Sequence, residues 1–248
     1  MNIWGKLVGG AAGFALGGPI GALLGAVAGH AVDKLAEAET IPPTEEDERA
    51  ATRQIAFTIG IIALGAKMAK VDGVVSRSEI AAFRQAFTVP PEDEKNVGRI
   101  FDQARRDARG FEPYARQIAR MFRRKSPLLE GLLDGLFHIA KADGKVTEEE
   151  LAYLRDVARI FGFEAAEFAR IRESHLGPDE GDPYSLLGVD RGMDNAAIKA
   201  VYRKLVRAIH PDRLVAKGMP ADFIAIANQR LAAVNVAYDR ICKERGIS

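Results

Sequence analysis

The stretch Ala69-Lys70-Val71-Asp72-Gly73-Val74-Val75-Ser76-Arg77-Ser78-Glu79 recurs further along the chain as Ala140-Lys141-Ala142-Asp143-Gly144-Lys145-Val146-Thr147-Glu148-Glu149-Glu150. Self-similarity of this kind marks a repeated supersecondary unit. The match extends outward: Gly60 answers to Gly131, Ile61-Ile62 to Leu132-Leu133, Ile80 to Leu151, and Phe83-Arg84 to Leu154-Arg155. In each copy a glycine is placed to end one helix in a left-handed residue, and Ser76 or Thr147 is placed to cap the next. Glu79 and Glu150 complete capping boxes, in which the N3 carboxylate reaches back to the N-cap amide. Two copies of a helical hairpin are expected. The competing use of these residues is a metal site built from Asp72 and Glu79, or from Asp143 and Glu150. A calcium loop of the EF-hand kind needs ligands at several further positions, and the next carboxylate after Asp72 is Glu79. The structural use is preferred, and no metal is assigned.

Outward from the repeats, residues 50–176 carry apolar positions at spacings of three and four, with no alternating run of β-branched residues, so this domain is all-α. Before it, residues 35–49 hold Glu37, Glu39, Glu45, Glu46, Asp47 and Glu48 with the pair Pro42-Pro43, an acidic linker that cannot support a core. Earlier still, no charged residue occurs from Leu7 to Val32. That is enough helix to cross a bilayer. Gly5, Gly9, Gly13, Gly17, Gly21, Gly25 and Gly29 follow one another at a spacing of four. On a helix they form one shallow ridge for close backbone approach, a glycine zipper. Residues 1–34 are therefore read as a transmembrane anchor, with Trp4 at the headgroup layer and Gly9, Gly13, Gly17, Gly21 and Gly25 as a homodimerisation face. The competing shapes are a cleaved signal peptide, a re-entrant hairpin turning at Gly18-Pro19, and a segment packed in a soluble core. The run is longer than a signal peptide requires.

After a hinge at residues 177–181 a new unit occupies 182–248. Asp182-Pro183-Tyr184-Ser185-Leu186-Leu187-Gly188-Val189 reads as a short helix entered through proline and ended by glycine. Asp194 or Asn195 caps a longer helix. Ile198, Val201, Leu205 and Ile209 mark its apolar face, and Lys199, Arg203 and Arg207 make a basic stripe on another. It stops at His210-Pro211-Asp212, where proline disfavours helical geometry for the residue before it and a loop is expected. A last helix from about Pro220 to Arg245 presents Phe223, Ala227, Leu231, Val234, Ala237, Tyr238 and Ile241, closing an antiparallel hairpin. The unit holds eleven Lys or Arg against seven Asp or Glu. It suits an acidic partner.

The whole chain is different, because its 35 basic residues nearly match its 34 acidic ones and give no global reason to bind nucleic acid. Cys242 stands alone, which excludes a disulfide framework and a cysteine zinc site. No phosphate-cradling glycine loop and no pairing of nucleophile and base is present, so neither cofactor nor catalytic residue is assigned.

The paired repeats resemble TerB-like domains of tellurite-resistance and envelope-stress proteins, which implies a compact helical bundle used as a sensing or docking module. The C-terminal unit is similar to J-domains in four blocks: Tyr184-Ser185-Leu186-Leu187-Gly188-Val189, Ile198-Lys199-Ala200-Val201-Tyr202-Arg203-Lys204-Leu205, His210-Pro211-Asp212 and Val234-Asn235-Val236-Ala237-Tyr238. That resemblance implies that His210, Pro211 and Asp212 engage a DnaK-class heat-shock chaperone. It also implies that Lys199, Arg203, Lys204 and Arg207 hold the chaperone's acidic surface and that Tyr184, Leu187, Leu205 and Tyr238 are core. Arg213 stands where lysine is commoner, which keeps the charge. Anchor, TerB-like domain and J-domain together resemble the DjlA family of bacterial inner-membrane co-chaperones. The implied role is to stimulate ATP hydrolysis by the chaperone from a single-pass anchor, with the C-terminal domains in the cytoplasm. The alternative role is an envelope-stress or metal-sensing scaffold with the J-domain as output.

Overall fold

The structure is a computed structural model that describes residues 17–22, 45–69, 94–106, 110–176, 182–217, 219–220 and 223–247. All regular structure among them is helical. Helix α1 (Glu45–Met68) is the centre of the middle domain. From Ile55 to Ala69 every residue is buried, including Thr58 and Lys67. A helix apolar on all sides is stable only when surrounded, and α2 (Glu94–Arg106), α3 (Glu112–Met121) and α4 (Pro127–Ala140) pack around it. Helix α5 (Glu148–Phe161) closes the bundle over α3 and α4. The hydroxyl of Tyr153 on α5 donates to the Leu64 carbonyl at 2.8 Å. Burial, and secondarily the charge of Glu112, pushes that phenol well above its ordinary value, which keeps it a donor. Helix α6 (Ala165–Leu176) then lies across α4 and α5.

The second repeat takes the expected form. After α4 a single 3-10 turn, Lys141–Asp143, ends at Gly144 with φ +83°, a conformation that a side chain would strain. Thr147 caps α5 in a reciprocal box: Glu150 N donates to Thr147 Oγ1 at 3.2 Å, and Thr147 N donates to Glu150 Oε2 at 2.8 Å. The first repeat, with Asp72 and Glu79, lies outside the described residues, as do the hinge at 177–181 and most of the acidic linker.

Of the apolar N-terminal run, only Gly17–Ala22 is described. Gly17 and Gly18 have φ of +53° and +58°, so a right-handed helix does not pass unbroken through them, and a helical turn runs over residues 18–22. Ile20 is buried, and the side chain of Gln117 on α3 accepts from Ile20 N at 3.0 Å and donates to the Gly17 carbonyl at 2.9 Å. Among the described residues no helix is long and apolar enough to cross a membrane.

The C-terminal unit comprises α7 (Pro183–Leu187), α8 (Asn195–Ile209), α9 (Pro211–Ala216) and α10 (Ile224–Arg245). Asp182 caps α7 by accepting from Ser185 N at 3.1 Å, and Asp194 caps α8 by accepting from Ala197 N at 2.8 Å. Tyr184, Leu187, Val189, Ile198, Ile209, Val234, Ala237 and Ile241 form the hairpin core, against which Leu205 and Tyr238 lie half-buried.

Two expectations are corrected. The stretch after His210 is a short helix and not a loop: Pro211 does end α8, but at the first position of α9 its fixed φ and missing N–H cost nothing. Phe223 and Ala227 do not belong to the hairpin seam; they are buried with the middle domain. Helix α10 has 22 residues and α8 has 15, so at 1.5 Å per residue α10 outruns its partner by about 10 Å. Its first turns need another surface.

Candidate chaperone-binding surface

The sequence-derived residues converge at one end of the hairpin. Ala200, Arg203, Lys204, Arg207, Ala208, Arg213 and Lys217 line an open groove of about 510 Å³ between α8 and α9. All five cationic side chains are exposed. Arg213 lies across the groove end and donates to the Arg207 carbonyl at 3.4 Å. Lys199 is exposed on α8 but does not line the groove. Lys217 does line it, although no motif in the sequence singles it out. One turn beyond Arg213, it joins the set only because the segment expected to be a loop is helical.

His210 caps α8 with extended backbone, φ −58° and ψ 128°, and its side chain is 45% exposed beside an Asp212 that is 91% exposed. Their closest approach, 3.7 Å, is too long for a hydrogen bond and leaves both groups available. Pro211 is buried beneath them. The signature thus presents an imidazole and a carboxylate side by side at the lip of a cationic groove.

Two arginines absent from the sequence reading hold this unit together. Arg245 donates to Tyr184 Oη at 3.0 Å, to the Met193 carbonyl at 2.7 Å, to Asn195 Oδ1 at 2.8 Å and to the Arg191 carbonyl. Arg191 pairs with Asp182 at 2.6 Å and Glu244 at 3.0 Å, its guanidinium 4.4 Å from the Tyr184 ring centroid. The charge of Arg191 is paired internally, and the guanidinium of Arg245 is satisfied by neutral acceptors. By contrast, among the described residues Lys199, Arg203, Lys204, Arg207, Arg213 and Lys217 meet no carboxylate.

The other candidate residues that are described are not gathered into a site. Glu150 is buried, with its carboxylate used by the Thr147 cap. Asp143 sits in the 3-10 turn, its side chain outside the described atoms, and the described residues contain no cluster of three or more potential metal ligands. In the glycine row, Gly17 bonds to Gln117 and Gly21 is buried, while Gly9, Gly13 and Gly25 lie outside the described residues.

Comparison with known proteins agrees with this arrangement. Residues 58–173 match the tellurite resistance protein TerB family, and residues 182–245 match the DnaJ domain. Residues 1–54 match the co-chaperone DjlA transmembrane domain. A hairpin with a His-Pro-Asp junction and a cationic helix, matching the DnaJ domain, defines a J-domain co-chaperone. Over its full length the chain is similar to proteins named co-chaperone protein DjlA. It is 28% identical to that of Photobacterium profundum over 98% of this chain and 99% of the relative, and 29% identical to that of Aliivibrio fischeri over all of both. It is 26% identical to that of Coxiella burnetii, again over all of both chains. No solved structure matches. With its three domain matches in the same order, the chain is similar over its full length to the DjlA-type co-chaperones, and its N-terminal segment matches their transmembrane domain.

Proposed function

We propose that this protein binds the ATP state of a DnaK-class heat-shock chaperone through His210, Pro211, Asp212 and the basic groove, and stimulates ATP hydrolysis by that chaperone. The observation that carries this reading is the contrast in charge use: Arg191 and Arg230 are paired with carboxylates within the chain, whereas the five exposed cations of the groove and Lys199 on α8 are left without acidic partners among the described residues. Such a surplus steers an acidic surface and holds it in register. The chain need supply no catalytic group, because binding the chaperone more tightly in its hydrolysis-competent arrangement is enough to shift it there.

DnaK-class chaperones and ATP are cytosolic, which places the C-terminal domains on the cytoplasmic side of the bacterial inner membrane. Lys34, Arg49 and Arg53 follow the apolar run while Lys6 precedes it, in keeping with that orientation. A second copy would approach through the glycine-rich N-terminal segment.

Single-turnover ATP hydrolysis by a DnaK-class chaperone is the test. Stimulation by the wild-type chain and none by His210→Gln is expected. Equal stimulation by both would remove the signature from the mechanism.

A further inference from the structure

We propose that the TerB-like domain positions the His-Pro-Asp signature, by clamping Met219, Phe223, Ile226 and Arg230, which follow α9 in the chain, against its own core and helix α4 and so supporting α9 from behind through Leu214. This rests on the co-chaperone reading above.

Helix α9 has six residues, too few to be stable alone. Its outward face carries Asp212 and Arg213, and its inward face carries the buried Leu214. Leu214 does not join the apolar core of the J-hairpin. Together with Met219, Phe223, Ile226 and Ala227 it completes the core that contains Phe57, Leu129, Leu132 and Leu136 of the middle domain. The Phe223 ring meets Phe57 edge to face, with centroids 5.0 Å apart. The Met219 methyl lies against Gly131, where any Cβ would stand 2.8 Å from it, so only glycine admits this approach undisturbed.

Charge closes the same seam. On α10, Arg230 reaches Asp134 at 3.0 Å and also Glu130, both on one face of α4; Arg170 of α6 meets the same Glu130 carboxylate. His175 of α6 bonds Asp134 at 2.9 Å and stacks on Phe137. Burial alone would push the Asp134 carboxyl up, but Arg230, then His175 and Arg170, hold it below the ordinary carboxylate range. Removing one partner from such a cluster leaves an uncompensated buried charge. The cluster therefore penalises undocking, and its arginines take no part in the exposed groove.

The clamp thus fixes the rear of α9 while the groove and Asp212 stay open to a partner. A signature presented in one orientation avoids the fraction of encounters lost when the competent state is only partly populated.

The test uses the full chain in detergent with a DnaK-class chaperone and ATP. Gly131→Phe places a bulky ring against Met219, and no side chain of the middle domain lies within 4 Å of the new Cβ position among the described residues. Arg230→Met removes the clamp's charge from the other side. Both variants are expected to raise hydrogen exchange in 211–227 while 198–209 and 234–245 stay protected. Both should also raise the concentration for half-maximal stimulation roughly tenfold, with the plateau retained. Unchanged exchange in both variants would overturn the clamp. Faster exchange with unchanged half-maximal concentration would overturn its positioning role. If the wild-type chain fails to stimulate, the co-chaperone reading and the positioning role fall together, while exchange still decides whether the clamp exists.

Discussion

Phe223, at the entrance to the last helix of the J-domain, stands edge-on to Phe57 in the central helix of the TerB-like domain, their rings crossing at 87°. Neither side chain retains more than 1% of its surface in water. Two domains separable in sequence therefore share a core. Phe223→Ala removes a buried ring from that core and is expected to cost about 3 kcal/mol. Denaturant unfolding of the detergent-solubilised chain checks this; a loss under about 0.5 kcal/mol, the range of ordinary surface changes, would mean the ring is not buried in solution.

The domain seam should also respond to mild acid. His138 of α4 lines a cavity of about 430 Å³ with Asp134, Lys141, His175 and Arg230. Burial, then the charges of His175 and Lys141, hold its pKa below the ordinary histidine value. The unfolded chain then binds this proton more readily, so the contribution of His138 is whole above about pH 6.5 and is lost as pH falls through the folded value. Asp134 is likewise depressed, but its contribution persists until below about pH 4. Melting temperature should fall between pH 7 and pH 5, and His138→Gln should flatten that fall. An unaltered slope would assign the acid response to other groups.

Capping, not coordination, is expected to explain the repeated carboxylate. Thr147→Ala should lower stability by about 1 kcal/mol, the usual cost of a lost N-cap. Calcium or zinc should leave the wild-type melt unchanged. A metal-dependent gain abolished by Glu150→Gln would instead revive the metal reading of the repeat.

On the basic groove, Arg203→Glu combined with Arg207→Glu should raise the half-maximal concentration for chaperone stimulation by roughly tenfold or more, and should weaken its dependence on salt. The chain should remain folded, because both side chains are exposed and unpaired with carboxylates among the described residues. Stimulation measured across a salt series, with circular dichroism as the folding control, decides it. Retained affinity would place the partner elsewhere.

Much of this was legible without coordinates because it rests on local rules. The capping box at Thr147 and Glu150, the glycine ends at 144 and 188, the aspartate cap at 194 and the basic stripe of α8 depend on residues within a few positions of one another. The sequence determined on its own the helical class, the order of domains and the residues of the signature. Tertiary structure decided what lies behind that signature. Lys217 enters the groove because α9 is helical, and Leu214 of α9 is buried in the core built around a domain distant in sequence. Arg230 reads in sequence as one more cation on a helix, yet its partners lie on α4, 96 and 100 residues away. Periodicity reports that a helix has an apolar or charged face; it carries no label for the surface that face will meet, since burial is satisfied equally by any partner of suitable shape and charge.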